Sequence, residues 1–182
     1  MEQVLHLFIT NKCRHQCQFC CNKFYKISEI PVVTVELLKS VDTVCLTGGE
    51  PFGIGVGDLY AFIKSLRNQY PNIKNLYIYT SGAELALNYM SYIPILGEYI
   101  KGINAAPKDM IDWMRFVDII NKGIFKEGNS NRLYVFKEQR PLFDAMNIDL
   151  SKVNIQVIDR QWTKSFNTPD NEHFARLPIL FD

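Results

Sequence analysis

The chain contains no apolar run approaching the roughly 18–20 residues that span a bilayer. It also has no block of like charge: 20 basic and 19 acidic residues leave a formal net charge of +1. That balance carries no strong nucleic-acid signature and argues against a dominant membrane-surface role, while leaving room for a local patch. No leader pattern opens the sequence, because Met1 runs directly into strand-like residues without a basic stretch and a small-residue cleavage site. A cytoplasmic location is therefore expected. The dispersed cysteines of a disulfide-stapled secreted chain are missing as well. Of five cysteines, four fall between positions 13 and 21, a clustering that points to metal or redox chemistry.

What remains is the composition of an ordinary folded domain. The 182 residues are 47% hydrophobic and 13% aromatic, enough to build one core. Strand-like and helix-like segments alternate along the chain. Val4–Thr10 is a near-continuous apolar run, as in a strand covered on both faces. Thr34 suits the cap of a short helix, and 43–47 reads as a second strand. After a glycine-rich loop, Asp58 precedes a helix with Leu59, Phe62, Ile63 and Leu66 on one face. Further strands are expected at 76–80, 99–105, 133–137 and 153–158. Ser81 and Glu84 have capping-box spacing for an intervening helix. Pro107 suits the first turn of a longer helix, whose inner face would be Met110, Trp113, Met114, Val117 and Ile120.

Six strands separated mainly by helices imply an α/β fold with a parallel sheet and right-handed crossovers. An open doubly wound sheet and a partial barrel leave the same pattern. Both gather ligands at the C-terminal strand ends. The whole of 1–182 reads as one domain, with 160–182 as a tail that either covers a sheet edge or acts as a lid.

Cys13, Cys17 and Cys20 are spaced C-x3-C-x2-C just after the first strand. Three thiolates on one loop can converge on one metal centre, either an iron–sulfur cluster or zinc. Zinc would need a fourth ligand, such as His15 or Cys21, and the usual second cysteine hairpin is missing. The second strand then ends in Thr47-Gly48-Gly49-Glu50-Pro51. With both motifs in this order, the chain resembles the radical S-adenosylmethionine (radical SAM) superfamily over about Val4 to Ile158.

That resemblance implies a partial (β/α)6 barrel of parallel strands, the radical SAM core. It implies a [4Fe–4S] cluster with Cys13, Cys17 and Cys20 each on one iron, and S-adenosyl-L-methionine on the fourth. An external one-electron donor of flavodoxin or ferredoxin type would reduce the cluster. Cofactor cleavage would yield a 5′-deoxyadenosyl radical that takes hydrogen from a small-molecule or protein substrate, as an oxidoreductase or lyase. Phe19 corresponds to an aromatic position near the adenine. Gly48 and Gly49 would admit the ligand to the backbone, and Glu50 would accept from the cofactor's amine. Thr80, Ser81 and Asn104 stand at strand ends that contact the cofactor in many relatives.

Other residues have plainer readings. Cys45 is a small buried hydrophobe, His6 a hydrogen-bonded core histidine, Cys21 a spare thiol and Lys137 an exposed strand-end lysine. Two small subfamilies stay open. Glycyl-radical activases share Asn22 two residues after Cys20, but not their Gly-Pro-Gly lead-in. The 7-carboxy-7-deazaguanine synthases share features around Tyr79–Gly82, but not the Asp-Thr after the third cysteine. A non-catalytic iron–sulfur or zinc-binding module is the alternative of a different class.

Overall fold

The computed structural model describes residues 2–15, 17, 20, 22, 26–123, 125, 129–151, 153–161 and 168–181, without the side chains of 88, 93, 94 and 96. The chain packs as two compact units, Met1–Ile78 with Thr163–Asp182, and Tyr79–Trp162. All the strand pairings described are parallel, and helices intervene between most strands, so the fold is α/β.

In the first unit the strands are β1 (Val4–Thr10), β2 (Thr43–Gly48), the greater part of β3 (Asn75–Thr80) and β7 (Glu172–Phe181), in the order β3-β2-β1-β7. Leu5, Leu7, Val44, Leu46, Leu76 and Ile78 are completely buried. Each contributes roughly 1.5–3 kcal/mol by leaving water. Helix α1 (Val35–Ser40) is capped by the Thr34 side chain, which accepts from the Leu37 amide at 3.1 Å. Helix α2 (Val56–Gln69) buries Leu59, Ile63 and Leu66. It begins two residues before Asp58, because Gly55 takes φ 93° and supplies the N-terminal turn.

The expected six strands become seven. Residues 172–181, within the segment read as a tail, form β7 on the edge of β1, from Val4↔Glu172 to Thr10↔Phe181. The isolated bridge Val32↔Arg176 pairs β7 with the chain that returns from the cysteine loop.

The second unit holds α3 (Ala83–Pro94), β4 (Gly102–Ala105), α4 (Met110–Asn121), β5 (Asn131–Phe136), α5 (Arg140–Met146) and β6 (Ile155–Arg160). Its strands run β4-β5-β6. The Asn131 side chain ties the start of this sheet together, accepting from the Ile103 amide at 3.0 Å and donating to the Asn154 carbonyl at 3.1 Å.

Three local expectations are corrected here. Gly82, at φ 90°, rather than Ser81, is the cap residue of α3. Helix α4 starts after Asp109, whose carboxylate caps the Asp112 amide at 2.9 Å, so Pro107 lies outside it. Its buried face is Asp112, Trp113, Phe116, Ile119 and Ile120, whereas Met110 and Met114 are 52% and 62% exposed. The aromatic pair Trp113 and Phe116, 6.2 Å apart edge to face, sets that rotation of the helix.

Candidate metal and cofactor site

Cys13 follows β1, and Gly48–Pro51 follows β2, so parallel pairing of these neighbours brings the two motifs to the same ends of the two strands. The contact is made by backbone. The Gly49 amide donates to the Thr10 carbonyl at 2.7 Å, and the Glu50 amide donates to the Lys12 carbonyl at 2.8 Å. A Cβ on Gly48 would stand 2.1 Å from the Thr10 oxygen, and one on Gly49 would stand 2.0 Å from the Lys12 oxygen. No side chain fits at that spacing, and Gly48 also holds φ 120°. Glycine is therefore dictated by the chain's own approach to the cysteine loop.

The far side of the loop is fastened as well. Asn22 donates from Nδ2 to the Gly48 carbonyl at 2.7 Å. This contact gives Asn22 a holding role that does not depend on which substrate the site serves. Between these two anchors, the Cys20 amide donates to the Cys17 carbonyl at 3.3 Å.

The thiols lie within electrostatic reach of one another. Although the Cys13 residue as a whole is exposed, neighbouring atoms partly desolvate its thiol and push it up to about 11; the His15 backbone amide opposes this, while Glu50, Cys17 and Cys20 raise it further. A cation that drew the thiolates together would relieve that repulsion and displace their protons. Cys13 is exposed, and Cys17 and Cys20 are half-buried, so all three are open to a metal. This soft donor set fits an iron–sulfur cluster or zinc.

Glu50 is only 3% exposed, and its carboxylate accepts from the Phe52 amide at 3.3 Å. That bond fixes the side chain at the start of a short 3-10 turn, Pro51–Gly53. A buried carboxylate in this position suits an ammonium group. Phe19 and Cys21 lie outside the described residues.

In the second unit, Thr80 Oγ1 accepts from the Gly82 amide at 2.9 Å, and Ser81 Oγ accepts from the Ala83 amide at 3.3 Å. Both hydroxyls thus help to start α3. Asn104 differs. It is fully buried in β4, and neither its amide nitrogen nor its amide oxygen has a hydrogen-bond partner among the described residues. An orphaned buried amide costs about 1–3 kcal/mol, which suits a residue that meets a polar ligand.

The remaining expectations concern plainer residues. Cys45 is buried and Lys137 is exposed. His6 is hydrogen-bonded as expected but only partly buried, with Nε2 3.2 Å from Glu172 Oε2 and its ring stacked 4.6 Å from Phe174. Sequence reading placed Thr10 at the end of the first strand without giving it a role, and it named Asn22 only for its spacing. A threonine that ends an apolar strand is ordinary in sequence, and only the fold shows what its hydroxyl touches.

No protein-family model matches the chain, and neither does any curated protein or solved structure. Among the described residues, no helix is long and apolar enough to cross a membrane.

Proposed function

We propose that this protein is a radical S-adenosylmethionine enzyme whose Cys13, Cys17 and Cys20 hold a [4Fe–4S] cluster, on a partial (β/α)6 barrel. The observation that carries this reading is the backbone lock between the cysteine loop and Gly48–Glu50 at 2.7 and 2.8 Å. It joins a three-thiol site to a buried carboxylate, as a cluster and an amino-acid-bearing cofactor would require. When bound, these groups supply reductive cleavage of the sulfonium to methionine and a 5′-deoxyadenosyl radical, which takes hydrogen from the substrate.

The chain's own residues bind and orient. Three thiolates leave one position of a four-iron cluster for an outside ligand. Glu50, held by the Phe52 amide, receives the cofactor's ammonium. Gly48 and Gly49 let the end of β2 close against the cysteine loop, which sets Glu50 near Cys13. An electron donor of flavodoxin or ferredoxin type and a small-molecule or protein substrate complete the reaction.

Anaerobic reconstitution tests the reading. The wild-type chain should turn brown and take up about four irons. Cys17→Ala should fail to hold them. Glu50→Gln should keep the cluster and bind the cofactor at least about tenfold more weakly, because it loses a charge-assisted bond. Stoichiometric zinc in place of iron would defeat the proposal and leave a zinc-binding module.

A further inference from the structure

Strand β7 touches the cysteine-bearing segment at both ends, although roughly 150 residues separate them in sequence. At the entering end, Thr10 is completely buried and its hydroxyl is used twice. It donates to the Phe181 carbonyl of β7 at 2.7 Å and accepts from the Lys12 amide at 3.0 Å, one residue before Cys13. The Thr10 carbonyl meanwhile receives the Gly49 amide. One residue therefore joins β7, the cysteine loop and the glycine ledge.

The pairing register supports a dedicated arrangement. β1 runs evenly against β2 and β7 up to Phe8, then shifts against both, so that Thr10 meets Gly48 on one side and Phe181 on the other. A shift of this kind re-aims a side chain. Phe181 is itself seated edge to face against Phe62 of α2, at 5.6 Å.

At the leaving end, Arg176 of β7 donates from Nε to the Ile30 carbonyl at 3.1 Å and from its terminal nitrogen to the Leu177 carbonyl at 3.1 Å. Its backbone adds two further bonds. The Arg176 amide donates to Pro31 at 2.9 Å, and its carbonyl accepts from Val33 at 2.8 Å.

We infer that β7 is a clasp on the cysteine-bearing segment, with Thr10 and Arg176 as positioning residues that hold its two ends for metal binding. The clasp is a property of the fold. Its consequence for a cluster rests on the proposed function.

Two readouts separate these claims. In the metal-free protein, Thr10→Val should speed amide hydrogen exchange at Lys12 about tenfold, the scale of one lost hydrogen bond. Thr10→Ser should restore slow exchange. In the reconstituted protein, Thr10→Val and Arg176→Gln should each lose iron to a chelator several-fold faster than wild type, with Thr10→Ser again close to wild type. Ile63→Val, a core change on α2, is the control for general destabilisation. It should leave both readouts near wild type. The clasp is overturned if Thr10→Val exchanges like wild type, or if Thr10→Ser behaves like Thr10→Val. A wild-type chain that takes up no cluster overturns the functional reading instead, and the exchange result then decides the clasp alone.

Discussion

Gly48 and Gly49 matter for the absence of a Cβ, since the carbonyls of Thr10 and Lys12 occupy the space one would need. Gly48→Ala should therefore destabilise the fold by on the order of 2 kcal/mol or more, adding a strained φ to a backbone clash. Urea unfolding of the metal-free chain measures this, and a change under about 0.5 kcal/mol, the range of ordinary surface substitutions, would contradict it. His6 makes a prediction about pH. Burial lowers its pKa below the ordinary 6.5, and the neighbouring Glu172 opposes that shift. The folded chain thus binds this proton less readily than the unfolded chain does. The resulting stability is present above pH 6.5 and declines as pH falls through the lower folded value. His6→Gln should flatten that part of the profile. Thermal melts of both proteins between pH 7.5 and 5, about the window of histidine titration, provide the comparison. Parallel profiles would exclude His6 as the source.

At the scale of elements, α4 shows how a helix can be foreseen and its phase misjudged. Apolar residues occur on much of its circumference, so periodicity alone did not choose between the Met110–Met114 side and the Phe116–Ile119 side. Packing chose the aromatic side, where Phe116 is fully buried. Phe116→Ala should cost about 3–5 kcal/mol. Met114→Gln should stay within about 0.5 kcal/mol. Chemical denaturation of the two variants gives both numbers, and similar costs would mean the helix is turned the other way. The strands β1 and β2 and the cysteine loop between them were legible because each is carried by local signals: an apolar run, turn residues and short spacing. β7 was not. Pro178 interrupts its apolar pattern, and prolines within strands are confined to edges and irregular pairings. Its contacts with Thr10 and Ile30 also join distant parts of the chain, so no local window contains both partners. The glycine pair was legible as a special position, yet its immediate physical reason, backbone against backbone, required the fold.

For the whole molecule, the account depends on what the three thiols hold. Zinc and an iron–sulfur cluster draw on the same soft ligands, and the proposed function assigns them the cluster. Cysteine spacing, the glycine ledge and buried Glu50 are all compatible with a cofactor bound beside the metal. The most direct measurement is the electron-paramagnetic-resonance spectrum of the anaerobically reconstituted, reduced protein, recorded before and after adding S-adenosylmethionine. The account predicts a reduced-cluster signal that changes on cofactor addition in wild type, with Glu50→Gln needing more cofactor for the same change. A signal unaffected by the cofactor, or a silent protein carrying zinc, would contradict it.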